Sequence, residues 1–376
     1  MFAPCHSLSF AERFTRLNWF VPALVCLIAA IGAVTLTSAT GGAFAPWATR
    51  HTLRCAAGLV VMLGCALVPL RVWMALAVPA YIAALALLIA VPFAGAEALG
   101  AKRWLNAGGL SIQPSEIMKV ALVLVLARLY GVLPQGAASR PHWVALALLL
   151  IGLPVVLTLR QPDLGTAVLF AGIGGGMLFL AGTSLWYYAA GAAGLVALLP
   201  VAAAHLADYQ RKRIEIFLDP ASDPLGAGYH ITQARIALGN GGASGQGYLQ
   251  GSQTQLDFVP EKMTDFIFVT IGEEWGFAGA CLVLALYAAL IGVLFAMALK
   301  GRTAFARLLI AGVAISLSVY VVINVAMVTG LVPVVGVPLP LISYGGTSLI
   351  TLMVALGLAL SAGLEEERET LAGGRR

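Results

Sequence analysis

Residues 257–276 read DFVPEKMTDFIFVTIGEEWG, where a long polar loop passes into an apolar run of membrane-spanning length. Asp, Glu, Lys and Arg make up only 10% of the 376-residue chain, yet these twenty residues hold five carboxylates: Asp257, Glu261, Asp265, Glu273 and Glu274. If a helix begins near Thr264, Asp265 lies in its first turn at the membrane surface and Glu273 lies about 12 Å deeper. A carboxylate at that depth costs roughly 2.5 to 3.5 kcal/mol on insertion scales, which makes the segment a candidate functional site. Alternatively, Asp265 is only an acid at a helix N-terminus, where the helix dipole favours it.

The composition indicates a polytopic membrane protein, with 60% hydrophobic residues and a mean hydropathy of +0.93. The first apolar run is longer than a signal-peptide core, so we expect it to be retained. The five cysteines are scattered and show no metal-ligand spacing. Hydropathy predicts an all-α fold with about ten spans, at 17–39, 52–69, 72–94, 114–133, 142–159, 164–182, 184–205, 264–298, 305–329 and 343–363.

The distribution of Lys and Arg predicts the orientation of these spans. An even number of spans places both termini on the same side. If that side is the cytoplasm, eleven Lys or Arg residues lie inside and five lie in the short outside loops, as the positive-inside rule requires. The chain is then one integral membrane domain, 1–376, with a large extracytoplasmic loop, 206–263, between spans seven and eight. The inside residues are Arg13, Arg16, Arg71, Arg128, Arg140, Lys300, Arg302, Arg307, Arg368, Arg375 and Arg376, and the outside residues are Arg50, Arg54, Lys102, Arg103 and Arg160.

A second pair of charges opens the fourth predicted span, in WLNAGGLSIQPSEIMK at residues 104–119. Pro114 suits the first turn of a helix, so Glu116 and Lys119 fall one turn apart on one face, where an ion pair can form. Such a pair could simply soften its own cost of insertion. The alternative is that it lines a polar cavity and tunes a third charged group. The turn RQPDLGTA has the same form, and there a helix-end role for Asp163 is the stronger explanation.

Arg211, Lys212 and Arg213 form a basic cluster in the large loop. A solvated charge run is the usual explanation of such a cluster. Basic residues normally collect on the cytoplasmic side, however, so a cluster outside favours an anionic ligand such as a lipid phosphate or pyrophosphate. The sequence contains no D-x-D, H-E-x-x-H or G-x-S-x-G, which excludes the common metal-bound sugar-nucleotide, zinc-hydrolase and serine-esterase sites.

The segment TGLVPVVGVPLPLISYGGTS, at residues 329–348, separates the last two predicted spans. Pro333, Pro338 and Pro340 forbid a continuous helix here. Irregular backbone at membrane depth is tolerated only against protein or a cavity. We therefore expect this segment to dip back into the protein on the outer side.

Five motifs together closely resemble the SEDS family of bacterial cell-shape, division and sporulation proteins. They are WLNAGGLSIQPSEIMK, RQPDLGTA, FLDPASDPLGAGYHITQARIALGNGG, GSQTQLDFVPEKMTDFIFVTIGEEWG and VPLPLISYGGTS, and they follow the family's order over essentially the whole chain. The GSQTQLDF and PLPLISYGGTS stretches are more similar to the elongation members than to the division members.

The resemblance implies a ten-span glycosyltransferase of the bacterial cytoplasmic (inner) membrane that polymerises lipid II. It also implies a class B penicillin-binding protein as partner, and no nucleic-acid partner is expected. The essential aspartate of the family lies in its TDFIF motif, which is Asp265 here, and the QPSE-x-x-K motif supplies Glu116 and Lys119. The family usually has His before that Thr, whereas this chain has Met263, which puts any role of the imidazole in doubt.

The implied reaction is an inverting displacement in which a sugar hydroxyl replaces undecaprenyl pyrophosphate. One carboxylate must act as base and cations must stabilise the pyrophosphate. We expect Asp265 to be the base, held and tuned by Glu116 and Lys119. A divalent cation, Mg²⁺ or Mn²⁺, could bridge pyrophosphate and carboxylates, although the sequence shows no dedicated metal site. The residues expected to bind substrate are Arg211, Lys212, Arg213, Arg103, Lys262 and Ser343.

Two other functions are open on the sequence. A lipid II flippase would line a transport path with its buried charges. That path would need polar groups in the cytoplasmic half of the bundle, whereas the charged motifs cluster at the predicted outer surface. A scaffold for the penicillin-binding protein has little use for costly charges at helix mouths, so we rank it last.

Overall fold

The computed structural model describes residues 10–98, 101–107, 110–134, 136–204, 208–223 and 226–373. The helices are α1 (Phe10–Thr15), α2 (Phe20–Ala39), α3 (Trp47–Leu67), α4 (Leu70–Ala94), α5 (Pro114–Gly131), α6 (Pro141–Arg160), α7 (Leu164–Leu180), α8 (Leu185–Ala204), α9 (Asp208–Leu218), α10 (Ala227–Gly241), α11 (Ser252–Gln255), α12 (Ile267–Lys300), α13 (Ala304–Val328) and α14 (Thr347–Gly373). Three short strands lie between α4 and α5: β1 (Ala96–Ala98), β2 (Ala101–Ala107) and β3 (Leu110–Ile112).

The predicted all-α membrane fold is confirmed, and the count of ten spans stays a prediction. Within the described residues, seven helices are long and apolar enough to cross a membrane, namely α2, α3, α4, α6, α12, α13 and the Thr347–Leu364 part of α14. Helix α7 and the Leu185–Leu198 part of α8 are apolar but shorter. Helix α5 occupies the fourth predicted span and carries Glu116, Lys119 and Arg128.

Helices α5, α13 and α14 form the centre of the bundle. Helix α5 packs against α4, α6, α7, α13 and α14, so it buries residues all round its circumference. More than half of the apolar window is buried in α13 (56%) and in α14 (61%), against 28% in α3, α4 and α6. Glu116 and Lys119 of α5 therefore face protein, which removes the cost of exposing them to lipid.

The chain between α13 and α14, residues 329–346, contains no helix, as its three prolines predict. We call it the proline segment. Side chains of the surrounding helices satisfy its backbone: Tyr287 donates to the Pro340 carbonyl and Asn324 donates to the Val337 carbonyl. A Cβ added to Gly32 would lie 2.8 Å from the Ile342 Cα, so only glycine lets α2 approach this closely. The segment is thus packed into the protein.

Helix α12 departs from the sequence prediction at both its start and its middle. It begins at Ile267, so Asp265 precedes the helix and does not lie in its first turn. Gly276 has φ 68° and ψ −165°, which breaks the helix, and the freed amides of Phe277 and Ala278 donate to the Gly242 and Ala243 carbonyls at the end of α10. Only glycine adopts this conformation readily. The first part of α12 is consequently buried beneath the large loop.

The three strands form an antiparallel sheet in the order β1-β2-β3, which the all-α prediction does not include. Strand β2 pairs with β3 through Leu105 opposite Ile112 and Asn106 opposite Ser111. The strand carries Arg103, which donates to the carbonyls of Gln161 and Pro162 in the turn between α6 and α7. The sheet thus joins the start of α5 to the start of α7.

Candidate functional site

The Asp265 turn, residues 261–266, is held against the proline segment by backbone and hydroxyl contacts. The Ser343 hydroxyl donates to the Thr264 carbonyl at 2.6 Å and accepts from the Leu339 amide at 2.8 Å. The Tyr344 amide donates to the Met263 carbonyl at 2.8 Å. Met263 therefore serves the turn through its backbone. Ser343 is 4% exposed and supports the turn through its two hydrogen bonds, and its contact with substrate stays a prediction.

The Asp265 carboxyl is half-buried, and in the described part of the chain it has no hydrogen bond or ion pair. Its surroundings raise its pKa from 3.8 to about 6, chiefly because burial removes water from the charged form. Glu261 and Asp163 raise this pKa further, and Arg213 lowers it. A carboxylate whose pKa lies near neutrality, with its oxygens free, can accept a proton from a hydroxyl group.

Helix α9 brings one member of the basic cluster toward this carboxyl. Arg213 is the member that lowers the pKa of Asp265. Lys212 is exposed and lies 3.6 Å from Asp223, and Arg211 is exposed on the same helix. The three predicted cations therefore have different surroundings. Arg213 acts on the Asp265 carboxyl, whereas Arg211 and Lys212 are exposed.

The other predicted cations are engaged within the protein. Lys262 is 8% exposed, and its ammonium lies 2.6 Å from both the Asp257 carboxylate and the Thr254 carbonyl. Arg103 donates to two carbonyls of the turn that also carries Asp163. Their predicted contacts with phosphate would require these hydrogen bonds to break or to be shared.

Glu116 and Lys119 form the predicted ion pair, with Lys119 Nζ 2.6 Å from Glu116 Oε1. Both side chains are buried. Tyr320 of α13 completes the cluster: its hydroxyl accepts from Lys119 and lies 3.0 Å from Glu116 Oε2, to which it can donate. Thr351 of α14 donates to the same oxygen at 3.4 Å. We name these four residues the buried charge cluster. It joins α5, α13 and α14.

Sequence reasoning missed Tyr320, although the sequence carries a weak signal for it. Ser316, Tyr320 and Asn324 recur every four residues in a largely apolar helix, so they share one face. That face points toward α5 and the proline segment. A polar stripe in a membrane helix is a reason to search for partners on its neighbours.

A cavity of about 40 Å³ lies between the buried charge cluster and the proline segment. Its polar lining comes from Glu116, Lys119, Tyr320, Ser343 and Thr351. The pair thus borders a small cavity whose remaining walls are largely apolar, and a functional polar cavity at this place stays a prediction. Ser343 links this space to the Asp265 turn through Thr264, but no hydrogen bond joins the pair to the Asp265 carboxyl in the described residues. Direct tuning of Asp265 by the pair stays a prediction.

Glu273 and Glu274 hold the GSQTQ stretch, residues 251–255, against α12. Glu273 accepts from the amides of Gln253 (2.7 Å) and Thr254 (2.9 Å) and from the Thr254 hydroxyl (2.6 Å). Glu274 accepts from the Ser38 hydroxyl at 2.5 Å and from the Gln255 amide at 3.2 Å. These acids have protein partners, so their burial is explained without a ligand.

A dedicated metal site is not built from the described side chains, since no group of three or more His, Cys, Asp or Glu residues there could hold an ion. Asp163 accepts from the Thr166 amide at 3.2 Å and from its hydroxyl at 2.8 Å, which makes it the N-cap of α7. A divalent cation at this site would therefore take most of its ligands from the substrate.

Comparisons with known proteins agree with these motifs. The family of FtsW, RodA and SpoVE proteins, described as cell cycle proteins, matches residues 15–368. The peptidoglycan glycosyltransferase MrdB of Escherichia coli K12 is 45% identical over 309 residues, which cover 81% of this chain and 82% of the relative. The probable peptidoglycan glycosyltransferase FtsW of Trichlorobacter lovleyi is 38% identical over 326 residues, covering 82% and 83%.

Two solved structures share the fold over most of their length. A chain of a peptidoglycan synthase complex, described as coordinating polymerization and crosslinking, is 34% identical with a TM-score of 0.82, covering 93% of this chain and 98% of that one. The rod shape determining protein RodA of Thermus thermophilus is 31% identical with a TM-score of 0.69, covering 93% and 97%. The chain therefore belongs to the SEDS family of FtsW, RodA and SpoVE proteins.

Proposed function

We propose that this protein is a peptidoglycan glycosyltransferase that polymerises lipid II into β-1,4-linked glycan strands during cell elongation. The observation that carries the proposal is the half-buried Asp265 carboxyl, whose pKa is raised to about 6 and whose oxygens have no partner in the described part of the chain. Its relatives named peptidoglycan glycosyltransferases support the activity. The likeness to a rod shape determining protein supports the elongation role.

The reaction follows from the chemistry of the two sugars. Asp265 takes the proton from the 4-hydroxyl of the acceptor sugar while that oxygen attacks the anomeric carbon of the donor. The new C–O bond forms on the face opposite the bond that breaks, so an α-linked donor gives a β-linked product. The bonding electrons leave with undecaprenyl pyrophosphate, so no second carboxylate is needed as acid. A positioned base of this kind contributes about 10² to 10⁴ in rate.

Positive charge beside the base stabilises the departing pyrophosphate. Arg213 is close enough to act on the Asp265 carboxyl, and Arg211 and Lys212 extend the cluster along α9 toward solvent. In this arrangement the arginine that partly opposes the rise in the pKa of Asp265 also attracts the substrate. The buried charge cluster supports the turn from behind and does not reach the sugar.

The same proposal fixes the location and the partner. We place the chain in the bacterial cytoplasmic (inner) membrane, with cytoplasmic termini and with the large loop outside, because the Lys and Arg distribution favours this orientation. A class B penicillin-binding protein is the proposed partner, which the likeness to a chain of a synthase complex supports. A reporter inserted near Ser222 should then read extracytoplasmic, and one after Arg376 should read cytoplasmic.

The deciding experiment is polymerisation of lipid II by the purified protein, with and without the penicillin-binding protein. We expect glycan strands from the wild-type protein and polymerisation about 10² to 10⁴-fold slower from Asp265→Asn under the same conditions. A flippase would move lipid II across vesicle membranes without making polymer. A scaffold would do neither alone and would raise the partner's activity equally with Asp265→Asn, and either result would overturn the proposal.

A further inference from the structure

Asn324 of α13 contacts the backbone of the Asp265 turn. The residue is fully buried, and its amide nitrogen donates to the Asp265 carbonyl at 2.9 Å and to the Val337 carbonyl at 2.7 Å. Both amide hydrogens are therefore used, one on each of two segments that are distant in sequence. One side chain thus joins the Asp265 turn to the proline segment.

The orientation of this amide is determined by its neighbours. If the amide were rotated by 180°, its oxygen would face two carbonyl oxygens, which is repulsive, so the nitrogen must point at them. Its oxygen, Oδ1, has no hydrogen-bond partner in the part of the chain that the structure describes. A buried acceptor left without a partner destabilises the folded state. The protein tolerates this cost at a position that donates to the Asp265 backbone.

We propose that Asn324 is a positioning residue for Asp265. The proposal rests on the proposed function, because it takes Asp265 to be the base. The Val337 carbonyl that Asn324 also binds belongs to the stretch that faces the carboxyl: a Cβ on Gly336 would lie 3.4 Å from Asp265 Oδ2. Asn324 therefore holds the peptide that carries the base and the backbone that faces it.

The position of Asn324 on α13 links the two halves of the site. Tyr320 lies one turn earlier on the same helix face and binds both Glu116 and Lys119. The hydrogen bonds of the buried charge cluster thus fix α13 against α5. Because Asn324 lies on the same helix and donates to the Asp265 carbonyl, the position of α13 determines the position of the Asp265 turn. This path assigns the Glu116–Lys119 pair a role in placing the base through α13, without a direct contact with the carboxyl.

The expected effect is large because catalysis depends on the base being held at a short distance from the attacking hydroxyl. A displacement of about 1 Å can lower the rate by about 10². Asn324→Leu keeps a similar volume in an apolar helix and removes both donors. We expect its kcat to fall about 10²-fold while KM for lipid II stays within about twofold, because the groups that bind the substrate are unchanged.

Two further measurements separate positioning from loss of structure. Hydrogen exchange should be faster in Asn324→Leu than in wild type in the peptide covering residues 261–266 and in the proline segment, with peptides elsewhere unchanged. The acidic midpoint of the pH–rate profile, near pH 6 in wild type, should also shift, because the charges around Asp265, namely Glu261, Asp163 and Arg213, would act at new distances. Ser318→Ala is the matched control, since Ser318 lies on α13 and donates only to Ala314 of its own helix.

The outcomes distinguish this inference from the proposed function. If wild type makes no polymer, the proposed function fails, and hydrogen exchange still tests whether Asn324 holds the turn. If wild type polymerises lipid II and Asn324→Leu matches it in kcat, exchange and pH midpoint, the positioning role is wrong. Should Asn324→Leu not fold, Asn324→Ser, which keeps a small polar group, replaces it in the same three measurements. A loss confined to thermal stability in the folded variant also overturns the role.

Discussion

Asp265 and Glu273 are carboxylates of one segment, eight residues apart, and their surroundings are opposite. Glu273 is fully buried and accepts three hydrogen bonds of 2.6 to 2.9 Å from the GSQTQ stretch. Asp265 is half-buried and accepts none in the part of the chain described here. A carboxylate saturated by protein donors must lose them before it can take a proton. The unsatisfied one is free to react with a ligand.

The hydrogen bonds of Glu273 are part of a larger network. Glu273 binds Thr254, whose carbonyl accepts from Lys262, and Lys262 pairs with Asp257. Hydrogen bonds to charged groups contribute roughly 1.5 to 3 kcal/mol each, which offsets the cost of burying Glu273. The network holds residues 254–262 against the first part of α12. Burial alone therefore does not identify a carboxylate that can act as a base, because its hydrogen-bond partners determine whether it is free to take a proton.

The largest expected effect is at the unsatisfied carboxylate. Asp265→Asn keeps the shape of the side chain and removes its basicity, so polymerisation should fall about 10² to 10⁴-fold. Because the fold raises the pKa of Asp265, it disfavours the charged form at neutral pH, and the amide should leave thermal stability unchanged or slightly higher. Activity assays and melting in detergent check this. A near wild-type rate, or loss of folding or of partner co-purification, contradicts the assignment.

The buried charge cluster should respond to single and double changes differently. Removing one member of a buried pair costs roughly 3 to 5 kcal/mol, so Glu116→Ala and Lys119→Ala should each lower the thermal midpoint and the activity. The double variant should recover stability, because apolar groups can replace a buried pair. We expect its activity to stay low, since Tyr320 and Thr351 lose their partners. A fully active double variant would show that the pair serves only its own insertion.

At the satisfied carboxylate, stability should change more than rate. Glu273→Gln removes the charge that three donors face, so the free energy of unfolding should fall by about 1.5 to 3 kcal/mol. The folded fraction should retain kcat within about tenfold of wild type. Melting in detergent and limited proteolysis of residues 242–258 report the loosened loop. A loss of rate as large as that of Asp265→Asn, without a loss of stability, would erase the contrast between the two acids.

The pH dependence should follow Asp265 alone. A base acts only when deprotonated, and the pKa of Asp265 is raised to about 6, mainly by burial. Activity should therefore be near its maximum above pH 7 and should fall about tenfold per pH unit below 6. Rates measured from pH 5 to 8 on folded protein test this. An acidic limb near pH 4 would indicate a solvated carboxylate instead.

The smallest effect is expected at Asp257, the acid at the exposed end of the same segment. Its carboxylate is 83% exposed and lies 2.6 Å from Lys262. The carboxylate is solvated and asparagine still offers Lys262 an oxygen acceptor, so Asp257→Asn should keep polymerisation within about twofold of wild type. The same assay as for Asp265→Asn provides the measurement. A loss comparable with that of Asp265→Asn would mean that the whole acidic stretch acts together.

The sequence alone was sufficient for the family, the all-α membrane fold and the Glu116–Lys119 pair. Long apolar runs can only be satisfied as helices in lipid, and Pro114 sets where one of them starts, so these features follow from local rules. The break between α13 and α14 follows in the same way from Pro333, Pro338 and Pro340. The identity of Asp265 as the family aspartate also required only its motif.

Tertiary structure decided which of these groups are free and which are engaged. Lys262 looks in the sequence like a cation for phosphate, yet its neighbours Asp257 and Thr254 hold it. Gly276 breaks α12 because α10 packs against it, which a hydropathy pattern cannot show. Tyr320 acquires its role from Glu116 on α5, 204 residues away in the sequence. Asn324 acquires its role from the proline segment, through the Val337 carbonyl. Hydrogen bonds are short-ranged, so contacts between distant segments exist only once the chain has folded.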